Sequence, residues 1–255
     1  MCSWSGRRSL VGLLISKDGT IQEIARLLVM ARILDLTFSL LAILVLLPFM
    51  LITALVLRLT GEGEVFFVQI RIGFKGKPFG LIKFATMLKD SPNIGTGEVT
   101  IKNDPRVLPL GSFLRKTKIN ELPQLFNILL GHMSIIGPRP QGQRCFDAFS
   151  ANSQREIIKV RPGLSGIGSI IFRDEEKLMH ASNDPEAFYD DVIMPYKGQL
   201  EEWYVNNNGL MTYFSCILVT IWILFFPQSS VAWRVFGKLP SPPEELTFPL
   251  GYLHV

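Results

Sequence analysis

The sequence predicts a small α/β domain carried on a membrane by an N-terminal apolar helix. Three observations predict it. Hydrophobic residues make up 48% of the 255 residues and the mean hydropathy is +0.29, too apolar for an ordinary cytosolic enzyme. Two uncharged runs stand out, residues 36–57 and 210–226. Between them, an alternating hairpin pattern and short helix signals alternate with Gly- and Pro-rich turns. The length suits one good-sized domain plus an anchor.

Net charge is +4 with a pI near 9.0. A basic membrane protein suits anionic headgroups or phosphorylated substrates. Nucleic acid is the competing partner for such charge, but no recognition motif supports it. Cys2, Cys145 and Cys216 form no paired spacing, so neither a disulfide framework nor a zinc site is indicated. Arg7, Arg8, Lys17 and Arg26 precede the first apolar run without a small-residue cleavage site, so a cleavable signal peptide is not expected.

Residues 1–30 form a mixed lead-in, and residues 31–58 read as a membrane helix. The 22 uncharged residues reach about 33 Å, enough for a bilayer core. Pro48 removes a helical hydrogen bond and should bend or break that helix. Cations flank both ends, Lys17, Arg26 and Arg32 before it and Arg58, Arg71, Lys75 and Lys77 after it. Positive flanks favour the cytoplasm, so this pattern suits a helix that enters and returns on the same side. A Pro-kinked spanning helix is the plainer alternative.

Residues 64–84 read as a β-hairpin turning at Gly73 to Pro78. The turn is no Walker A loop, because Pro78 stands where Ser or Thr is needed. Residues 88–105 have the composition of an exposed loop. A helix is expected from Asn120 or Glu121 to Leu130, ending at Gly131. Arg161-Pro162-Gly163-Leu164 fits a type II turn, and residues 184–205 another helix. The catalytic-domain candidate is residues 59–233, including the apolar helix 210–226. The Pro-rich tail 234–255 should be irregular.

Between residues 101 and 140 lie Lys102, Arg106, Arg115, Lys116, Lys118 and Arg139 against Asp104 and Glu121. This surplus suits a phosphate site, or equally a solvated basic face. Asn120 is a good N-cap, Glu121 favours the helix dipole, and Pro123 is tolerated in the first turn. That is a sound helix start. It is also a place where free N–H groups bind phosphate and a carboxylate could hold Mg²⁺ or attack phosphorus. Pro138 and Pro140 stiffen the chain around Arg139, presenting its guanidinium for two-pronged phosphate contact; the plainer reading is a polyproline-like connector.

The run KINELPQLFNILLGHMSIIGPRP (118–140) closely resembles the core motif of the bacterial sugar transferases known as monotopic phosphoglycosyl transferases. Further matching pieces follow in order: the lead-in at Arg32 and Asp35, FFVQIRIGFKGKPFGLIKFATM (66–87), VRPGLSGIG (160–168) and YKGQLEEWYV (196–205). The resemblance covers roughly residues 30–225. It implies a small monotopic α/β catalytic domain with a re-entrant, Pro-broken membrane helix and interfacial helices, on the cytoplasmic face of the inner membrane. It implies transfer of a sugar phosphate from a UDP-sugar to undecaprenyl phosphate, releasing UMP, with Mg²⁺ as cofactor. Membrane lipid would be a partner, nucleic acid would not, and a homo-oligomer is left open. By motif position Lys83, Arg115 and Arg139, with Pro138 and Pro140, would contact phosphate or substrate, and Glu121 would hold the metal. The family's nucleophilic Asp is replaced here by Asn120, whose amide nitrogen is a very poor nucleophile. Ala85, Glu64 and His132 also depart from the usual pattern. Two readings follow: an active transferase relying on Glu121, or a catalytically silent paralogue acting as scaffold or regulator.

Overall fold

The computed structural model describes residues 6–93, 104–175, 178, 184–247 and 249–250, with side chains from Leu28 onward, Pro92 excepted. One helix, α1, runs Gly6–Leu59. Its Leu28–Leu59 stretch is long and apolar enough to cross a membrane. Most of that surface is bare, with Leu44, Val45, Leu51, Ile52 and Leu55 all exposed. The chain stays helical through Pro48, so the proline lies inside one helix and does not divide two.

Strands β1 (Phe66–Ile72) and β2 (Pro78–Phe84) form the expected antiparallel hairpin, in register from Phe66 opposite Phe84 to Ile72 opposite Pro78. Phe79 and Leu81 point inward against Ile43 of α1. They also meet Leu125 and Ile128 of the later helix α3. Helix α2 (Pro109–Lys116) follows. Residues 94–103 of the expected loop fall outside the described residues. Its flanks are not exposed throughout: Asp104 and Arg106 are buried together, Arg106 Nε donating to Asp104 Oδ1 at 2.8 Å.

Helix α3 covers Gln124–Leu129 and β3 Ser134–Ile136. Helices α4 (Gln143–Asp147) and α5 (Ala151–Ile157) cross over to β4 (Gly163–Ser165), which pairs in parallel with β3. The type II turn at Arg161 to Leu164 is therefore not formed. Gly163 is in extended pairing and is not among the glycines with positive φ, whereas such a turn needs φ above zero there. This glycine is wanted for closeness: a Cβ on Gly163 would lie 2.1 Å from the Gly137 nitrogen, and one on Gly166 2.1 Å from the Gly137 oxygen.

Helix α6 spans Ile167–Ile171. The helix expected over 184–205 appears as α7 (Pro185–Phe188), a π turn at Tyr189–Ile193 and α8 (Met194–Asn206). Asp184 caps it by accepting from Ala187 N at 3.1 Å. Apolar α9 (Leu210–Phe225) buries Tyr213, Cys216, Val219 and Ile223 and exposes Met211, Leu218, Leu224 and Phe225. Short helices α10 (Val231–Val235) and α11 (Glu244–Thr247) interrupt a tail expected to be irregular. The α/β expectation thus holds as a mixed helix-and-sheet domain with two small two-stranded sheets.

Asp35 ties α1 to this domain. It is 2% exposed in an otherwise apolar stretch, where a bare carboxylate would be costly. Its oxygens accept from Ile135 N at 2.9 Å, Ser134 Oγ at 2.8 Å and Tyr213 Oη at 2.9 Å. One residue of α1 thus grips β3 and α9 together. One turn earlier, Arg32 donates to Leu129 O at 3.2 Å at the C-terminal end of α3, where a cation meets the negative end of the helix dipole. Replacing Asp35 by Leu should strand these donors and cost about 3 kcal/mol, whereas Tyr213→Phe should cost about 1 kcal/mol. Thermal unfolding of the detergent-solubilised chain checks the order; equal losses would show that Asp35 is no anchor.

Candidate active site

The chain approaches Glu121 through a left-handed residue, Lys118 (φ 61°), and a 3₁₀ turn at Ile119–Glu121. Helix α3 begins only at Gln124, so the helix start expected at Asn120 lies several residues late. Nor does Asn120 cap it. The N–H groups of Leu125 and Phe126 are already taken by Leu122 O and Pro123 O, at 3.0 and 3.1 Å. Asn120 is buried instead, and its Oδ1 has no hydrogen-bond partner among the described residues. The same main-chain bonds weaken the reading of α3 as a phosphate-binding helix N-terminus. What the local structure does supply is one carboxylate, Glu121, lifted to the edge of the turn with its side chain 14% exposed.

Arg139 faces it, with Nη2 3.4 Å from Glu121 Oε1. Its segment is held from behind. Gly137 N donates to Ser165 O at 2.9 Å, Gly163 N to Pro138 O at 2.8 Å, and Ile72 N to Gln141 O at 2.9 Å. Pro138 and Pro140 are buried. They frame Arg139.

Lys83 reaches the site from β2. Asn127, fully buried on α3, fixes that strand by donating to Gly80 O at 2.7 Å and accepting from Ile82 N at 3.0 Å. Burial, with Arg139, Arg71 and Arg115 nearby, pulls the Lys83 ammonium down to about 7, although Glu121 resists. Burial pushes the Glu121 carboxyl up, but Arg139, Lys83 and Lys118 outweigh it and hold it below the usual carboxylate range. Glu121 in turn raises Arg139. The result is an ionised carboxylate facing a group of cationic side chains, a field suited to a polyanionic ligand.

Of the residues singled out from the sequence, Glu121, Arg139, Lys83, Arg115 and Asn120 are brought together. Pro48 lies in α1. Arg106 is occupied by Asp104 and by Ser91 O at 2.9 Å, and Lys116 is exposed on α2. Lys118 and Asn127 joined the site without having been assigned a role. So did Glu201 of α8, 1% exposed, whose Oε1 accepts from Arg139 N at 3.2 Å. Burial pushes its carboxyl up to about 7. Nothing in its local sequence, LEEWYV, distinguishes it from Glu202.

A family model described as bacterial sugar transferase matches residues 26–227. An exopolysaccharide production protein of Rhizobium leguminosarum bv. phaseoli is 46% identical over 150 residues, covering 56% of this chain and 74% of that protein. A UDP-glucose:undecaprenyl-phosphate glucose-1-phosphate transferase of Escherichia coli (strain K12) is 38% identical over 161 residues, 60% of this chain and 33% of the relative. A UDP-N-acetylgalactosamine-undecaprenyl-phosphate N-acetylgalactosaminephosphotransferase of Aeromonas hydrophila is 37% identical over 142 residues, 55% of this chain and 33% of the relative. The chain thus spans most of the Rhizobium protein and about a third of the two longer ones.

A lysine titrating near neutrality should react with a small acylating reagent sooner than ordinary surface lysines. Competitive labelling of Lys83, followed by mass spectrometry, should show a midpoint near pH 7. Glu121→Gln removes the charge that holds the proton on, so the midpoint should fall. A midpoint above 9 would refute the electrostatic description.

Proposed function

We propose that this chain, which belongs to the bacterial sugar transferase family, moves a sugar phosphate from a UDP-sugar to undecaprenyl phosphate. UMP is released, and the product starts a surface polysaccharide or glycoconjugate. The observation that carries the reading is the Glu121–Arg139 pair set beside Lys83 and Arg115, within a chain resembling transferases of that chemistry.

The donor's diphosphate meets Arg139, Arg115 and Lys83, which offset its charge as negative charge builds on the departing phosphate. Glu121, kept ionised by its neighbours, attacks the phosphorus bearing the sugar. A bond forms from its carboxylate oxygen, the bond to the bridging oxygen breaks, and UMP leaves with the electron pair. An oxygen of undecaprenyl phosphate then attacks the same phosphorus, and Glu121 departs as a carboxylate. No proton has to move. This assigns to Glu121 the part that Asn120 cannot play, because an amide nitrogen's lone pair is delocalised.

Mg²⁺ fits the residues present. Among the described residues there is no cluster of three or more metal-ligating side chains. Magnesium, however, is satisfied by one or two carboxylates when water and substrate phosphates complete the shell. Glu121 and the orphaned amide oxygen of Asn120 are hard oxygen donors of that kind. A carboxylate has two oxygens, so holding an ion leaves one for phosphorus. When bound, the ion supplies neutralisation of diphosphate charge.

The apolar surfaces of α1 and α9 support a membrane location for the domain. Cations at both ends of the α1 apolar stretch support a re-entrant arrangement, although α1 stays helical through Pro48, and a cytoplasmic catalytic face. Single cysteines at positions 31 and 60 should then label equally from the cytoplasm in intact cells. Labelling from opposite sides would establish a spanning helix.

Incubation with a panel of UDP-sugars, undecaprenyl phosphate and Mg²⁺ should release UMP with one donor. Glu121→Gln should lose activity at least 1,000-fold, about 4 kcal/mol. Omitting the lipid should leave a phosphosugar adduct on Glu121, visible by mass spectrometry. UMP release that strictly requires the lipid, with no adduct, would replace covalent attack by direct displacement. No UMP from wild type with any donor, but release by Asn120→Asp, would mark a silent paralogue.

A further inference from the structure

We infer that Glu201 is a positioning residue of the active site: its carboxylate holds the Arg139 backbone N–H and so aims the guanidinium at Glu121. The inference rests on the transferase reading above and adds a residue to its machinery.

The need arises from the prolines. Across residues 137–141, Pro138 and Pro140 have no N–H. Gly137 spends its own on Ser165 O. Arg139 is left with an N–H that no strand partner reaches, in a segment where its peptide orientation decides where the side chain points. Glu201 arrives from α8, 62 residues along the chain, and supplies the acceptor at 3.2 Å. A buried N–H left unpaired would cost about 1–3 kcal/mol, so this single contact biases the peptide toward one orientation.

A second, independent observation is the room made for that carboxylate. A Cβ on Gly168 would stand 2.3 Å from Glu201 Oε1 and 3.0 Å from its Cδ. Any other residue at 168 would push the carboxylate off Arg139. The three heavy atoms nearest such a Cβ all belong to Glu201.

Among the described residues Glu201 forms no ion pair, although Lys197 and Arg139 favour its charged form. Lys197, one turn away, gives its ammonium to Glu175 at 2.7 and 3.0 Å. Glu201 Oε2 has no hydrogen-bond partner among the described residues. A fully buried, half-satisfied carboxylate is a poor stabilising device, and its productive contact is the one to Arg139.

The test compares the full-length chain with Glu201→Gln, Glu201→Met and Gly168→Ala, normalised to folded protein by thermal unfolding. Gln keeps an acceptor oxygen of the same reach. Met keeps the length without the acceptor and removes the burial cost of a carboxylate, so the fold should survive. Glu201→Met and Gly168→Ala should each lower kcat for UMP release on the order of 30-fold, about 2 kcal/mol, with the donor KM changed less than threefold. Glu201→Gln should restore kcat to within about threefold of wild type. A readout independent of turnover is the Lys83 labelling midpoint, which Arg139 depresses. It should rise in Glu201→Met and Gly168→Ala and stay put in Glu201→Gln. Wild-type kcat and labelling in Glu201→Met, or a Gln variant as impaired as Met, would overturn the inference. Inactive wild type would instead count against the transferase reading, while the labelling shift still decides Glu201.

Discussion

The active site depends on the close approach of two backbones. Gly137 lies against Gly163 and Gly166 so tightly that a single Cβ on any of them would overlap main-chain atoms of a partner. This contact lets β3 and β4 pair in parallel and brings the segment carrying Arg139 to a fixed height above α3. Parallel strands need a crossover, and here α4 and α5 provide it. The prolines flanking Arg139 can then be buried, since neither has a donor to satisfy. Loosen that contact, and the guanidinium has no defined place relative to Glu121.

The electrostatics follow from this geometry. Lys83, Arg115, Lys118 and Arg139 are drawn around one carboxylate, and like charges in partial burial repel. Burial first, and the neighbouring guanidinium groups after it, depress the Lys83 ammonium. Such a cluster is tolerable because Glu121 offsets part of it and because a polyanionic ligand would offset the rest. The stability cost and the binding function are thus one property. Asn120 adds no charge of its own, and its buried amide oxygen has no partner among the described residues.

The apolar helix is built into this arrangement. Asp35 and Arg32 of α1 bind β3, α9 and the C-terminal end of α3, close to the elements that carry Arg139 and Glu121. Ile43 packs on the face of the hairpin that also presents Lys83. A displacement of α1 would therefore be felt by the side chains of the candidate site.

The sequence by itself determined the parts whose cause is local. Alternation and a Gly-Pro turn gave the hairpin, uninterrupted apolarity gave α1 and α9, and Asp184 gave the start of the long helical stretch. Glu121 and Arg139 stood out through the family resemblance of residues 118–140; taken alone, those runs read as a helix start and a stiff connector. The sequence misled where a local motif had competing uses. Asn120 has the form of an N-cap, yet neighbouring carbonyls took the donors it would have served. Pro162-Gly163 has the form of a turn, yet Gly163 is there so that another backbone can lie against it. Glu201 was invisible for a related reason: its meaning comes from Arg139, 62 residues away, and from Gly168, which leaves it room. Interactions between distant segments leave no periodicity in the chain, and only the tertiary structure decides them.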